Sequence, residues 1–506
     1  MANKNVPVLV GVGQITSRWD GKAGPEGAPS YLSLASAAAQ KAIQDSGGDQ
    51  RLNAEIDTIA MVRTMADSVP SFSNVFGRCN NLPRGVANAI GANPTSAIYS
   101  SVGGQSPQSL VNEMATRIAR GDSQVALIGG SEALGAMKSA RRSSIELDWE
   151  ANIDGEQEDR GLGAMMLNRS EIKHGMIAPA YFYALFETAY AHRVGHNRSD
   201  HLAAMSQLFA PFSKVASQNP FAQFRTARSA EFLSTVSGDN YHFADPYLKW
   251  HMAQDAVNMA AAVLMMSASK ADDLGIDPAR RVYLHGSGEA QDDFISERPV
   301  LDKSWAMQEA LNKALDQSEK QVGDISLFDL YSCFPIAVFS SAEALGIDWK
   351  TDHRDLTLTG GLPFFGGPGN NYSLHGIASM VAALRKQPDA FGLVLANGGW
   401  MSKEAAGIYS CQPVLSHKET DPIAKPGDKV AYEAAPNDGT LETYTIAHDR
   451  NGPSHAIAFV RTKSGKRYIA SSRDSSTLAR LSGNDLLVGA SVTAQSAAEV
   501  NTFQFV

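Results

Sequence analysis

One architectural unit occurs twice in this chain and restricts the folds open to it. Each copy consists of a glycine-rich elbow, an amphipathic helix, a polar turn, an apolar strand and a closing Gly-Gly, and the two copies span Tyr99–Ser131 and Leu358–Met401. Each elbow directs backbone N–H groups and a helix N-terminus towards one point, a geometry that binds anionic oxygens. The repeat therefore predicts two half-sites that face each other.

The composition limits both the architecture and the partners. A chain of 506 residues with 43% hydrophobic content can bury more than one core, so we expect two or three domains. The formal net charge of −9 provides no field that attracts nucleic acid or an anionic membrane, and neither is expected as a partner.

Cysteine usage and hydropathy indicate the compartment. The three cysteines Cys79, Cys333 and Cys411 show neither CxxC spacing nor a neighbouring His/Cys cluster, which argues against a disulfide framework and a zinc site. The first residues carry no export signal pattern, and no run of about 18 apolar residues occurs. We therefore expect a cytoplasmic protein without a membrane span and without a metal or redox cofactor.

Strands and helices alternate through most of the chain, which predicts an α/β fold with a mainly parallel sheet. Met252–Leu274 has helical periodicity. The other segments that define the pattern are a strand at Val8–Ile15, a helix at Tyr31–Asp45, a strand at Ile56–Val62, a helix and strand within Ser109–Gly130, a strand at Arg281–Gly286, a helix at Trp305–Ser318, a strand at Ile325–Tyr331 and a helix after Phe334.

Two regions depart from this alternation. Residues 133–245 combine acidic and aromatic runs and are interpreted as a mostly helical insertion. After Cys411 short alternating segments replace the helical periods, and Lys463–Lys466 between two of them is typical of a hairpin. The C-terminal part is predicted to be a small antiparallel β-barrel. An oligonucleotide-type barrel is one option, and simple packing on the larger domain is the other.

Four loops give the chain a resemblance to the thiolase superfamily over roughly residues 5–410. These are, in order, NMAAAVLMMSASKADDLGI, YSCF at Tyr331–Phe334, GGP at Gly366–Pro368 and NGG at Asn397–Gly399. The chain most resembles the thiolase-like proteins grouped with the sterol-carrier-protein-2 thiolases, in the branch with a C-terminal barrel. The resemblance implies a duplicated five-layer fold of two βαβαβαββ halves. It divides the chain into 1–132 with 246–276, 133–245, 277–410 and 411–506.

The resemblance also implies that the usual catalytic side chains are altered. The acyl-accepting cysteine of thiolases falls on Gly104, its activating histidine on Gly367, the Asn or His of the neighbouring loop on Tyr331, and the second cysteine on Asn397. Gly104 and Gly399 fall where thiolases use backbone N–H groups to stabilise the thioester oxyanion. We expect an oxyanion pocket without a cysteine nucleophile, in which the Tyr331 phenol and the Asn397 amide contact substrate.

Other residues near the elbows have a functional and a structural interpretation. Ser106 is a candidate nucleophile or substrate contact if His375 acts as its base, but Ser106 before Pro107 also fits a helix N-cap. For His375 itself, a packed helix histidine is favoured. Cys333 lies in a motif loop, where the resembling proteins carry a non-catalytic cysteine, and a buried structural thiol is favoured.

Arg225 and Arg228 are candidates for binding the phosphates of coenzyme A. Thiolases bind coenzyme A with the insertion, and guanidinium groups suit phosphate oxygens. Ordinary surface arginines are the alternative.

Two functions follow from the resemblance. The first is an atypical acyltransferase that makes or cleaves the C–C bond of a β-keto acid or β-ketoacyl-CoA with coenzyme A as substrate, without a cysteine acyl-enzyme. The second is an inactive acyl-CoA-binding protein or a partner subunit of an active enzyme. Thiolases are typically dimers or tetramers, so a homodimer is one possibility, and a monomer stays open because the added barrel can block that interface.

Overall fold

The computed structural model describes residues 5–69, 72–434, 436–497 and 500–506. Its strands, in chain order, are β1 (Pro7–Thr16), β2 (Thr58–Met61), β3 (Ser96–Tyr99), β4 (Val125–Glu132), β5 (Glu158–Asp159), β6 (His242–Ala244), β7 (Tyr247–Leu248), β8 (Met259–Ser267), β9 (Val282–Gln291), β10 (Ile325–Leu330), β11 (Phe391–Gly398), β12 (Lys403–Ser410), β13 (Ile423–Ala424), β14 (Gly439–Asp449), β15 (Gly452–Thr462), β16 (Arg467–Ser472), β17 (Ser491–Ala497) and β18 (Val500–Phe505).

The helices alternate with these strands in the way that the sequence predicts for both halves. They are α1 (Tyr31–Ser46), α2 (Leu52–Glu55), α3 (Leu82–Ile90), α4 (Ser106–Arg120), α5 (Leu134–Arg142), α6 (Arg169–Lys173), α7 (Pro179–Arg193), α8 (Arg198–Gln218), α9 (Ala230–Ser234), α10 (Ala268–Asp273), α11 (Trp305–Ser318), α12 (Pro335–Ala344), α13 (Tyr372–Leu384) and α14 (Ser475–Leu481). No helix of the described residues has both the length and the apolar character needed to cross a bilayer.

The larger sheet joins the two halves edge to edge. Its order is β10-β11-β12-β9-β1-β8-β4-β2-β3-β5, and the halves meet where Val8 and Leu9 of β1 pair with Tyr283 and Val282 of β9. Strands β2, β3 and β4 are parallel, as are β10 and β11, whereas β8, β9 and β12 run antiparallel to their neighbours in this order. Short β13 also pairs with β9, in parallel. The sheet is therefore mixed, and the expectation of a mainly parallel sheet is wrong. Short β5 lies along the outer edge of β3.

The helices form three layers around this sheet. Helices α4 and α13 contact each other and share one apolar cluster with strands of both halves. Helix α1 covers the outer face of the N-terminal half, and α11 covers that of the C-terminal half. Each half of the sheet forms one layer. The order is therefore helix, sheet, helix, sheet and helix, which gives the five layers that the resemblance implies.

A Gly-x-Gly pair in the first strand of each half lets the outer helix approach the sheet closely. A Cβ atom on Gly11 or Gly13 of β1 would lie 2.0 or 2.1 Å from a backbone carbonyl oxygen of α1, and one on Gly286 or Gly288 of β9 would lie 2.2 or 2.1 Å from a carbonyl oxygen of α11. Real Cβ atoms do not come so close to other atoms, so only glycine fits. The duplication thus extends beyond the two elbows.

The segment Met252–Leu274 is not one helix. Met259–Ser267 forms strand β8, every residue of which is buried, and only Ala268–Asp273 is helical. Strand β8 lies between β1 and β4 in the middle of the sheet and is covered on both faces, so its sequence is apolar throughout and lacks the alternation that marks a half-exposed strand.

The C-terminal strands close into a ring. Strand β14 pairs with both β15 and β17, β15 pairs with β16, β16 with β18, and β18 with β17. The predicted hairpin at Lys463–Lys466 joins β15 to β16. The pairing of β16 with β18 is parallel, so the ring is not wholly antiparallel. Helix α14 lies between β16 and β17 along the chain, and the oligonucleotide-type barrel stays a prediction.

The predicted insertion is helical in its middle and joins the ring at its end. Helices α7 and α8 form its core, while β6 pairs with β14 of the ring. The division at 132, 245, 276 and 410 stays a prediction.

Candidate active site

The two elbows interlock through their closing glycines. A Cβ atom on Gly398, which ends the second repeat, would lie 2.0 Å from Oε1 of Gln105 in the first elbow. A Cβ atom on Gly130, which ends the first repeat, would lie 2.2 Å from Oδ1 of Asn371 in the second elbow. Each Gly-Gly therefore makes room for an amide side chain of the other repeat, and the half-sites face each other.

Gly104 lies at the centre of this contact. A Cβ atom on Gly104 would lie 2.4 Å from the carbonyl oxygen of Asn397 and 2.6 Å from the hydroxyl oxygen of Tyr331. The Ser373 hydroxyl donates to the Gly104 carbonyl oxygen at 3.3 Å. The structure thus brings together three of the residues singled out in the sequence, and the space beside Gly104 is occupied by a phenol.

The side chains around Gly104 are buried and stay protonated. Burial raises the pKa of Tyr331 well above its usual value of 10, and the neighbouring Cys333 and Glu404 add to this effect. Burial also raises the pKa of Cys333 to about 12, which agrees with a structural thiol rather than a nucleophile. The Asn397 amide nitrogen donates to the Tyr183 hydroxyl at 3.1 Å. Its Oδ1 is buried without a hydrogen-bond partner among the described residues.

Ser106 begins helix α4 instead of capping it. The N-cap is Gln105, whose side chain makes no capping bond, and Pro107 is the second helical residue. The N-cap interpretation of Ser106 is therefore wrong. The Ser106 hydroxyl donates to the Ser101 carbonyl oxygen at 3.0 Å, so it holds the elbow, and it lines a cavity described below.

His375 is a packed helix histidine. It is fully buried in α13, its Nδ1 lies 2.9 Å from Oε1 of Gln14, and its ring meets Phe365 edge to face. Its Nε2 has no hydrogen-bond partner among the described residues. Burial lowers its pKa to about 3, so the ring is neutral at physiological pH. Its contacts are with β1 and the second elbow, and none of them is with Ser106.

Acidification from pH 6.5 to 5 is expected to destabilise the protein, with His375 contributing about 2 kcal/mol of the loss. Between its folded-state pKa of about 3 and the usual 6.5, the unfolded chain binds a proton that the folded chain excludes. The stabilisation is therefore complete above pH 6.5 and declines below it. Urea unfolding at both pH values measures the loss. His375→Gln should lose about 2 kcal/mol less than the wild type, whereas the exposed His353→Gln should match it; equal losses in both variants would refute the assignment.

The two remaining glycines of the predicted pocket differ. The Gly367 N–H donates to the Gln254 carbonyl oxygen at 2.8 Å, so this N–H group is already engaged. Gly399 has φ +54° and begins a run in which Trp400 and Met401 also have positive φ, of 60° and 52°. Non-glycine residues in this region cost free energy and mark functional or tightly held turns.

The strained turn is held by buried groups. The Arg298 guanidinium, 1% exposed, donates to the carbonyl oxygens of Trp400 and Met401 at 3.0 and 3.2 Å. The Trp400 indole stacks on Phe182 at 4.4 Å. Neither Arg298 nor the turn was identified from the sequence, because the contact joins segments far apart along the chain.

Two cavities flank the elbows. The larger, of about 460 Å³, is bounded by the first elbow with Ser101, Gln105 and Ser106 and by the polar side chains of Lys403 and Glu404. The smaller, of about 240 Å³, is bounded by Gly399 and Trp400 and shares Lys403 with the first. Ser106 and Gly399 therefore lie on neighbouring cavity walls.

Lys403 and Glu404 give the larger cavity an unusual electrostatic character. Both Glu404 carboxyl oxygens are buried without a hydrogen-bond partner among the described residues, and burial raises the pKa of Glu404 well above its usual value. Burial lowers the pKa of Lys403, which donates to the Ala164 carbonyl oxygen at 3.0 Å. Perturbed groups at a cavity are typical of functional sites. The sequence does not predict that these two adjacent charged residues are buried.

Arg225 and Arg228 lie in an irregular segment of the insertion and have different environments. Arg225 is exposed. The Arg228 guanidinium lies 3.6 Å from the ring centroid of Trp250 and donates to the Thr226 carbonyl oxygen at 2.9 Å. Arg228 therefore stacks on the protein itself, and only Arg225 is open to a ligand.

The duplicated halves, the central pair of helices and the facing elbows define a thiolase-like protein. Residues 422–498 match the family model of the thiolase-like protein type 1 additional C-terminal domain. The crystal structure of a monomeric SCP2-thiolase-like protein type 1 from Mycobacterium smegmatis superposes with a TM-score of 0.83 at 35% sequence identity and covers 100% of both chains. This chain belongs to the family of SCP2-thiolase-like proteins of type 1, as the sequence resemblance predicts.

Curated relatives match only part of the chain. An acetyl-CoA acetyltransferase of Syntrophomonas wolfei is 29% identical over 143 residues, which are 28% of this chain and 34% of that protein. A 3-ketoacyl-CoA thiolase of Bacillus subtilis is 28% identical over 151 residues, which are 30% of this chain and 35% of that protein. The chain thus matches about a third of the length of these enzymes. They are acyltransferases of the thiolase superfamily.

Proposed function

We propose that this protein catalyses a thiolase-like acyl transfer in which coenzyme A makes or cleaves the C–C bond of a β-keto acid or β-ketoacyl-CoA without a cysteine acyl-enzyme. The observation that carries this proposal is the packing of the Tyr331 hydroxyl and the Asn397 carbonyl against Gly104. Gly104 is the position that the resemblance assigns to the acyl-accepting cysteine. Its neighbours leave no room for a side-chain nucleophile there.

In the cleavage direction, the coenzyme A thiolate attacks the β-carbonyl carbon directly. The S–C bond forms, and the oxygen of the tetrahedral intermediate accepts hydrogen bonds from the N–H groups of Gly104 and Gly399. When the bond between the α and β carbons breaks, the leaving enolate accepts a hydrogen bond from Tyr331. The raised pKa of Tyr331 keeps its proton available for donation. The enolate then takes a proton from a water held by Asn397 Oδ1, and the hydroxide that remains is neutralised by the proton that the coenzyme A thiol released to solvent when it ionised.

The relatives and the insertion support coenzyme A as the acyl carrier. The names of both curated relatives refer to coenzyme A thioesters. The exposed Arg225 is proposed to pair with its phosphates, while the stacking of Arg228 on Trp250 holds the segment in position.

Two observations favour a second function, that of an acyl-CoA-binding protein without chemistry or a partner subunit of an active enzyme. The side chains around Gly104 stay protonated because of burial, and the Gly367 N–H is engaged by Gln254. A pocket of this kind binds a carbonyl but exchanges protons slowly.

Mass spectrometry of quenched mixtures separates the two functions. The purified chain is incubated with a panel of β-keto acids and β-ketoacyl-CoA esters, each with and without free coenzyme A. Products that require coenzyme A, together with unmodified protein, support the acyl transfer. Absence of turnover across the panel, with coenzyme A retained on the protein, supports the binding function.

Tyr331→Phe is expected to lower turnover by about 100-fold or more, because one donor to the developing oxyanion is lost, while the affinity for coenzyme A stays unchanged. Steady-state kinetics and calorimetric titration with coenzyme A measure the two effects. Tyr409→Phe is the matched control, since Tyr409 is also buried but donates to Gln108 outside the pocket. Unchanged turnover in Tyr331→Phe would remove Tyr331 from the mechanism.

A further inference from the structure

Three side chains with metal-binding atoms converge where the insertion joins the C-terminal ring. His242 is in β6, Asp245 follows β6 directly, and His448 is near the end of β14. The β-bridge between Ala244 and Ala447 fixes the two segments side by side. The Asp245 N–H also donates to the Ile446 carbonyl oxygen at 2.9 Å.

Two of the three separations between the facing atoms are those of ligands around one metal ion. His242 Nδ1 lies 3.4 Å and His448 Nε2 lies 3.2 Å from Asp245 Oδ1, and all three atoms lie within 4.8 Å of one another. Tetrahedral ligands about 2.1 Å from a zinc ion are about 3.4 Å apart. Both separations from Asp245 Oδ1 match this value, whereas the two histidine rings stack with their centroids 4.8 Å apart, so one imidazole would turn towards the other when both bind a shared ion.

Hydrogen bonding alone accounts poorly for this arrangement. A charge-assisted bond between an imidazole and a carboxylate is typically about 2.7–2.9 Å long, shorter than both separations. His242 Nδ1, Asp245 Oδ1 and His448 Nε2 are all buried atoms without a hydrogen-bond partner among the described residues. The two imidazole nitrogens contact Asp245 Oδ1 only at ion-pair distance, and a shared cation would satisfy all three buried atoms more fully.

Charge and access also suit a cation. Asp245 is only 5% exposed, and Arg198 Nη1 lies 2.6 Å from its Oδ2, which leaves Oδ1 for the cluster. The His242 side chain is 34% exposed although its Nδ1 is buried, so the cluster lies close to the surface.

We propose that His242, Asp245 and His448 form a mononuclear site for a divalent transition-metal ion, with zinc as the best-fitting ion and water in the remaining position. The ion would join the insertion to the C-terminal ring through ligands distant along the chain. Such a clip stabilises the folded state because the unfolded chain does not hold the ligands together. The expectation of no metal, which rested on the cysteines, did not consider this His/Asp cluster.

The test uses the full chain after dialysis against EDTA. Zinc is titrated calorimetrically, and bound metal is counted by mass spectrometry of the desalted protein. One zinc per chain is expected, with a rise in melting temperature of about 2 °C or more at saturating zinc. Cobalt(II) should give the visible absorption bands of a low-symmetry, four- or five-coordinate site.

His448→Ala and His242→Gln should each lower zinc affinity by about 100-fold, and His455→Ala should bind zinc like the wild type. His455 lies on the neighbouring strand β15 outside the cluster. His242→Gln changes a partly exposed side chain, so its circular dichroism should match that of the wild type even if His448→Ala folds poorly. Folded wild-type protein that takes up no stoichiometric zinc, or equal affinity in His242→Gln and His455→Ala, would overturn the proposal.

Discussion

Gly104→Cys, which would place a sulfur at the position that the resemblance assigns to the thiolase nucleophile, is expected to lower the free energy of unfolding by about 3 kcal/mol and to give no acylated protein. The new Cβ would lie 2.4 Å from the Asn397 carbonyl oxygen and 2.6 Å from the Tyr331 hydroxyl. The first of these is a backbone atom and cannot rotate away. Urea unfolding and intact-protein mass spectrometry after incubation with acyl-CoA measure the two effects.

Gly323→Cys is the matched control for this variant. Gly323 is exposed, and no atom lies within 4 Å of a Cβ atom built on it, so its stability is expected to change by less than about 0.5 kcal/mol. If Gly104→Cys were as stable as Gly323→Cys and became acylated, the space beside Gly104 would be open. A direct attack by coenzyme A would then no longer be required.

The packing around the elbows explains which parts of the fold the sequence predicts. Helix α11 was predicted with its observed bounds, Trp305–Ser318, and α1 to within one residue, because both are amphipathic helices bounded by clear turn residues. Strand β8 was mistaken for a helix because it is apolar on both faces. Local pattern is informative where an element has one exposed face and fails where both faces are covered.

The residues of the candidate site also differ in whether local sequence predicts them. The elbows were predicted from the repeat, whereas Tyr331 and Asn397 were predicted from the resemblance of their loops to those of thiolases. Glu404 was missed because its burial depends on packing contributed by distant segments. The interlocking of Gly130 with Asn371 and of Gly398 with Gln105 was also invisible locally. In retrospect, each closing Gly-Gly was a signal that another backbone or side chain approaches closely.

Arg467→Met is expected to lower the free energy of unfolding by about 3 kcal/mol and to loosen the C-terminal ring. The Arg467 side chain is 1% exposed and pairs with Glu442 of the ring. It also donates to the carbonyl oxygens of Ser296 and Arg298 at 3.0 and 2.7 Å, which belong to the thiolase-like part. Methionine keeps the apolar stem but leaves these acceptors buried and unpaired. Guanidinium unfolding and limited proteolysis between the two parts measure the change.

Arg461→Met is the comparison variant. It separates the effect of losing an ion pair with Glu442 from the effect of losing contacts between the ring and the thiolase-like part. Arg461 contacts the same Glu442, but its side chain is 26% exposed and its other hydrogen bond goes to Gly465 within the ring. We expect a loss of about 1 kcal/mol or less and unchanged proteolysis. Similar losses in both variants would mean that Arg467 acts only through Glu442. A larger loss in Arg467→Met, with faster release of the ring, would mean that one buried guanidinium couples the ring to Arg298 and, through it, to the strained turn at Trp400.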